Sequence, residues 1–314
     1  MVGYLLTGVE PERPKNTSRI IPALGTMVEI QIRSGIDSVN AVAYDAAFKE
    51  VERIDSLFTD FDTTGAIGKI NQSLPGKVVT APEVVGLIKR ALEISSLTEG
   101  KFDITLGRVV RLWGFKDETM HIPAEDSVKE AVSTVGWRHI KILDDSTLAI
   151  DSKLALDLSG IAKGYAVDRA FAVLDSLGVE QFLINAGGEI RCKGEDWTTG
   201  IQDPRNEGGV VQVILPKDKA VATSGDYENF FQVAGKRYCH LFDPTTGFPA
   251  ETVISVTVLA DDAASADAIA TALFVEGSKK SKKIIEKFPG CEYFIIDKTG
   301  EKHYSPGFKK YIRS

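Results

Sequence analysis

Cysteine is scarce in this chain: Cys192, Cys239 and Cys291 are the three among 314 residues, and no two stand in a C-x-x-C spacing. An odd, scattered set of thiols supplies neither a disulfide framework nor a zinc-ligand pattern, and leaves the compartment unread. Long apolar runs are missing as well. No stretch reaches the roughly 18 residues of a membrane-spanning helix. The opening MVGYLLTGVEPERPKNTS has no basic leading segment, and its apolar run is too short for a secretory signal. Positive charge is not in excess: the formal net charge is −7, with no dense basic stripe, so nucleic acid is not an expected partner. Low-complexity tracts, internal repeats, the P-loop pattern and the G-x-G-x-x-G pattern are all absent. What remains is a balanced composition, 43% hydrophobic and 26% charged, on a chain long enough to bury a full core, as in a soluble enzyme.

The richest segment is DLSGIAKGYAVD, residues 157 to 168. The run Leu154, Ala155, Leu156 reads as a buried strand end. Ile161, Tyr165, Ala166, Ala170 and Phe171 then recur at helical spacing up to a stop at Gly178. Backbone N–H groups at such a helix start can face an anion. Gly160 and Gly164 permit close approach, and Lys163 offers a mobile positive charge. An ordinary strand–turn–helix junction with a solvated lysine fits these residues equally well.

In ASADAIATALFV, residues 264 to 275, Asp267 and Thr271 stand four residues apart on an otherwise apolar helix. Four residues is one turn, so both oxygens share a face that suits a hard cation. The competing reading makes Asp267 a first-turn complement to the helix dipole and Thr271 a back-bonded hydroxyl. In YCHLFDPTTGFPAE, residues 238 to 251, His240 precedes Asp243 in a run ending in a Pro-Thr-Thr-Gly turn. Among four histidines it alone adjoins a polar cluster; His121, His139 and His303 read as structural. Cys239 and His240 are adjacent in a strand and point to opposite faces, so they do not form a nucleophile and its base.

Elements alternate without a regular βαβ rhythm. Residues 1 to 18 read as a polar tail and 19 to 314 as a single domain. A strand is expected at 26 to 32 and helices at 38 to 58, from a Thr80 cap with Pro82 in the first turn to Gly100, and from Pro123 to Gly136. Hairpins are expected across Asp144-Asp145-Ser146 and across Ala234-Gly235, with strands at 182 to 186, 210 to 215, 253 to 260 and 292 to 297. Helices are expected at 264 to 275 and 278 to 287, the latter with a solvated lysine face. The fold class is α+β: antiparallel sheets packed on helices in two closely packed lobes. Trp113, Trp137 and Trp197 read as core anchors.

Taken in order, ALGTMVEI (23 to 30), FDTTGAIGKIN (61 to 71), EGKFDITLG (99 to 107), RLWGF (111 to 115), the central turn, NAGGEIRCKG (185 to 194), WTTGIQDP (197 to 204), AVATSGDYENFF (220 to 231) and the two C-terminal segments resemble the FAD:protein FMN transferases, the ApbE family. The resemblance covers roughly residues 19 to 290 and implies a magnesium-dependent enzyme. Such an enzyme breaks the FAD pyrophosphate, passes FMN to a Ser or Thr hydroxyl of an acceptor protein, and releases AMP. By the same resemblance Mg²⁺ is held by Asp267, Thr271 and the Ala162 carbonyl, His240 stands near the reacting phosphate, and Asp157 and Lys163 line the FAD site. Leu24, Phe61, Lys101, Phe102 and Asp103 match its flavin- and adenine-contacting parts. The implied compartment is the bacterial cell envelope or periplasm.

The family's acceptor motif has the form Asp-x-x-(Ser/Thr)-Gly-Ala-Thr, and this sequence lacks it. The nearest approach, Thr64-Gly65-Ala66-Ile67, has Phe61 where the aspartate belongs, so the acceptor is expected on a separate protein. Two other function classes share the same residues: an FAD pyrophosphatase using water, and a flavin-binding or storage protein.

Overall fold

The computed structural model describes residues 16–34, 37–60, 64–117 and 119–313. The first described elements are β1 (Asn16–Ala23) and β2 (Thr26–Arg33), an antiparallel pair turned at Leu24 and Gly25 with φ of 56° and 69°. The polar tail expected over 1 to 18 therefore gives way to paired strand at Asn16. Helices α1 (Asp37–Phe58) and α2 (Ala66–Gln72) follow, then β3 (Gly76–Val79), α3 (Pro82–Leu97), α4 (Gly107–Leu112), α5 (Glu125–Val132), β4 (Ile140–Ile142) and β5 (Thr147–Ile150). Next come α6 (Ser159–Ser176), β6 (Phe182–Ala186), β7 (Glu189–Lys193), the ribbon β8 (Thr199–Gln202) and β9 (Val210–Ile214), and β10 (Ala220–Gly225). The hairpin β11 (Phe230–Val233) and β12 (Lys236–Cys239) leads to β13 (Val253–Ala260), α7 (Ala263–Glu276), α8 (Ser278–Ile285), β14 (Glu292–Asp297) and β15 (Lys302–Tyr304).

Among the described residues eight strands form the main sheet in the order β1-β2-β6-β7-β10-β13-β14-β15, and every neighbouring pair is antiparallel. Strand β13, VISVTVLA, is buried at every position, as a central strand must be when both faces are covered. Helices α1, α6 and α7 cover one face. On the other, Trp197, Ile201, Ile214, Phe308 and Tyr311 pack on Val221, Leu259 and Phe294.

A second core gathers α2, α3 and the small sheet β3-β5-β4. Helix α7 lies between the two cores. Its Ala264, Ala268 and Ala272 face the second core, while Ala266, Ile269, Ala270, Leu273 and Phe274 face the main sheet. A helix apolar all round belongs inside a protein, so the carboxylate of Asp267 halfway along it is out of place unless it has work to do.

Three expectations need correction. Helix α3 is capped at Ala81 without a side-chain bond, because the Thr80 N–H donates to Ser146 O at 2.9 Å across to the β4–β5 turn. Helix α5 is shorter than the 123 to 136 expected. Trp137 is only half-buried with Arg138 stacked on it at 4.3 Å.

Trp113 is the anchor the sequence promised. It is 0% exposed, its Nε1–H donates to Gly247 O at 2.9 Å, and Phe231, Tyr238, Phe242 and Phe248 surround it at centroid distances of 5.5 to 6.4 Å. This nest ties α4 to the segment that carries His240. Trp113→Ala is expected to cost about 3–5 kcal/mol of stability, read as a lower urea midpoint; a loss under about 1 kcal/mol would contradict this account of the nest.

Candidate functional site

Helices α6 and α7 meet closely enough to dictate glycine. A Cβ on Gly164 would lie 2.2 Å from Ala263 O, a backbone atom that cannot step aside. One turn on, Asp168 accepts from Ala263 N–H at 2.8 Å and Ala264 N–H at 2.9 Å, holding the start of α7, while Asp262 caps the helix through Ser265 N–H at 2.8 Å. The capping work expected of Asp267 is thus done by Asp262 and Asp168. Gly164→Ala is expected to destabilise by at least the ~1–3 kcal/mol typical of overpacking, seen as a lower Tm; an unchanged Tm would mean the helices can part freely.

With the helices locked, Asp267 faces the start of α6. It is 4% exposed, its Oδ2 accepts from Gly164 N–H at 3.2 Å, and burial, then the neighbouring Glu189, pushes its pKa up to about 8. Thr271 stands one turn along. A Cβ on Gly160 would lie 3.3 Å from Thr271 Oγ1 and 3.3 Å from the Phe102 ring, so Gly160 is the residue of the turn set against Thr271. Ala162 lies two residues further into α6, packed against the second core.

Lys163 Nζ is 2.9 Å from Glu189 Oε1. Burial works against its charge, but Glu189, Asp267 and Glu228 overcome this and raise its pKa above the usual lysine range. The two carboxylates Glu189 and Asp267 are buried, desolvation pushes the Glu228 carboxyl at the same cluster up to about 8, and the charge of Lys163 acts on all three. Glu189 Oε2 is buried with no hydrogen-bond partner among the described residues. Beside this pair, the Asp267 carboxylate and the Thr271 hydroxyl on one face of α7 are oxygen donors of the kind a hard divalent cation takes.

His240 follows β12 directly and is half-buried. Its backbone N–H donates to Asn229 O at 3.1 Å, and its Nδ1 lies 3.1 Å from the same oxygen. A carbonyl only accepts, so Nδ1 carries the proton and Nε2 keeps the lone pair. Desolvation pulls the pKa down to about 4, with the positive charge of Lys163 acting the same way. The ring is therefore neutral at ordinary pH. Cys239 points elsewhere, within 3.9 Å of Leu241 O, and burial pushes its thiol up to about 11, as the strand alternation required.

The remaining candidates divide. Asp157, 8% exposed, accepts from Ser159 N–H at 2.9 Å and sits 3.2 Å from Lys116 Nζ, which also pairs with Asp60 at 2.9 Å. It is spent on the α6 start and on a buried ion cluster beside His240. Asp103 accepts from Thr105 N–H, Thr105 Oγ1 and Trp137 N–H at 2.6 to 3.0 Å, and Phe102 is 3% exposed; both side chains brace the turn. Lys101 Nζ lies 3.4 Å from Asp243 and 3.5 Å from Glu276, joining the His240 segment to the end of α7. Leu24 donates its N–H to Asp55 at 2.8 Å and packs where the first two cores meet. Phe61 lies outside the described residues.

Sequence reading missed Glu189, Asp168, Lys116 and Asp60. The available signals were faint: a carboxylate right after the Gly187-Gly188 turn, and Asp168 one turn beyond Gly164.

A glycine-locked helix pair, a carboxylate–lysine cluster and a neutral histidine make up the candidate site on this sheet-and-helix scaffold. The ApbE family's sequence model matches residues 24–295, and the chain belongs to that family. It is 34% identical to the FAD:protein FMN transferase of Vibrio cholerae over 275 residues, covering 84% of this chain and 80% of that protein. It is similar in structure to the ApbE protein of Thermotoga maritima, with a TM-score of 0.90, 36% identity and coverage of 96% of this chain and 100% of that one. The flavinyl transferase ApbE of Pseudomonas stutzeri in its apo form superposes with a TM-score of 0.86 at 26% identity, covering 98% and 99% of the two chains.

Proposed function

We propose that this chain is an FAD:protein FMN transferase, attaching the FMN moiety of FAD to a Ser or Thr hydroxyl of an acceptor protein. The observation that carries this reading beyond family membership is the pairing of a buried oxygen cluster, Asp267 with Glu189 and Lys163, with a neutral histidine whose Nε2 is free to accept a proton.

Asp267 and Thr271 would hold Mg²⁺, together with a carbonyl of the α6 turn. By resemblance that carbonyl is Ala162's, and Gly160, set against Thr271, is its rival. Bound there, the ion would neutralise pyrophosphate oxygens and the charge building on the leaving AMP. Lys163 places a second positive charge at the same phosphates. His240 Nε2 takes the proton of the acceptor hydroxyl as its oxygen bonds to the FMN phosphorus. The bond from that phosphorus to the bridging oxygen breaks, and AMP leaves with the oxygen.

The acceptor is read as a separate protein bearing an Asp-x-x-(Ser/Thr)-Gly-Ala-Thr segment, and the bacterial envelope as the compartment, both on family resemblance. No helix among the described residues is long and apolar enough to cross a membrane. Incubation with FAD, Mg²⁺ and a peptide carrying that segment is expected to add one FMN to the peptide, read by mass spectrometry. Intact FAD and unmodified peptide after prolonged incubation would count against the reading.

A further inference from the structure

Glu189 opens β7 immediately after Gly187 and Gly188, whose φ values are 69° and 114°. A Cβ on Gly187 would lie 2.6 Å from Thr26 Oγ1, so the turn is pressed against β2, and Gly188 N–H is tied to Asn185 Oδ1 at 3.0 Å. This stiff turn delivers a carboxylate that is 2% exposed. One oxygen meets Lys163 Nζ at 2.9 Å. The other, Oε2, is buried and has no hydrogen-bond partner among the described residues. Leaving a buried carboxylate oxygen unpaired is costly, and the fold does so beside the lysine that handles phosphate.

We propose that Glu189 is a positioning residue for phosphoryl transfer: it holds the Lys163 ammonium in the pose that meets the pyrophosphate and reserves Oε2 for an O–H donor arriving with the bound substrate complex. The proposal rests on the transferase reading above. Its consequence is a divided effect. Glu189 competes with phosphate for Lys163, so removing its charge does not weaken ground-state binding of FAD. The same change lets the lysine wander during the chemical step, where a misplacement of about 1 Å costs about 10²-fold.

The test is steady-state AMP release from FAD with Mg²⁺ and acceptor peptide, alongside FAD affinity from flavin fluorescence and thermal unfolding. The proteins are wild type, Glu189→Gln, Glu189→Asp, Lys163→Met and the Lys163→Met/Glu189→Gln double variant. Glu189→Gln is expected to lower kcat about 10²-fold while KM and Kd for FAD stay level or fall, and Glu189→Asp to recover part of kcat. In the Lys163→Met background Glu189→Gln is expected to add no further loss, because the two residues act as one unit. Additive losses, a raised KM with kcat intact, or a loss that tracks only Tm would overturn the proposal. If wild type turns over and Glu189→Gln matches its kcat, the positioning role falls and the transferase reading stands. A wild type that binds FAD and turns nothing over sinks both.

Discussion

Asp267→Ala is expected to reduce Mg²⁺-dependent flavin transfer by about 10³-fold or more, since removing a single preorganised electrostatic partner already costs ~10²–10³-fold. The carboxylate is the anionic member of the proposed ligand set, 4% exposed on a helix buried by apolar contacts on both sides. The start of α7 is held by Asp262 and Asp168 without Asp267, whose contact with α6 is a long acceptance from Gly164 N–H at 3.2 Å. Asp267→Ala is therefore expected to stay folded, and a neutral residue there relieves the burial penalty that pushes the carboxyl up to about 8. Thr271→Val, which removes a neutral ligand, is expected to cost less. The check is AMP release titrated with Mg²⁺, with the metal's effect on Tm as a binding readout independent of turnover. Wild-type rate and metal dependence in Asp267→Ala would reduce this helix face to packing.

His240→Ala is expected to slow transfer ~10²–10⁴-fold, the usual worth of a placed general base, with FAD affinity nearly intact because proton acceptance belongs to the chemical step. Sequence alone suggests an acid limb near the ordinary histidine pKa of about 6.5. The structure moves it. Desolvation holds the imidazole neutral down to about 4, so the accepting form persists above that pH and is lost as pH falls through it. Between pH 5 and 8, roughly one pH unit above that midpoint and beyond, the His240 contribution to rate should be flat. A pH–rate profile checks this, and an equal loss of FAD affinity and rate in His240→Ala would reassign the residue to binding.

The parts of the site legible in the sequence are those written within one element. Asp267 and Thr271 one turn apart, Lys163 at a helix start, and His240 opposite a thiol that had to face away are local facts, and the fold kept each of them. Long strands with apolar content, such as β13 and β14, were equally plain. What stayed hidden depends on which elements meet. Glu189 reads as the residue after a tight turn until β7 is laid beside α6, and Gly164 looks like a flexible glycine until Ala263 O is found 2.2 Å from where its Cβ would be. The first three residues of β1, Asn16 to Ser18, read as tail because the strand is mostly exposed at the sheet edge, which leaves no apolar alternation to read. Asp157 and Asp103 show the converse. Family resemblance made them ligand-contact candidates, and what the sequence did not disclose is that these carboxylates also bond within the fold, to Ser159 with Lys116 and to Thr105 with Trp137.

The central claim is that the site delivers FMN to a protein hydroxyl in preference to water. A bound, oriented hydroxyl gains effective molarities that reach ~10⁵–10⁸ M in favourable cases, against water at tens of molar, roughly. Competition measures this directly: AMP release from FAD and Mg²⁺ with and without saturating acceptor peptide, with free FMN and peptide-bound flavin quantified together. The account predicts that peptide accelerates AMP release, that each additional AMP is matched by one flavin on the peptide threonine, and that changing that threonine to valine returns the rate to the slow background. AMP release indifferent to peptide, with all FMN free in solution, would contradict it and make the protein a pyrophosphatase.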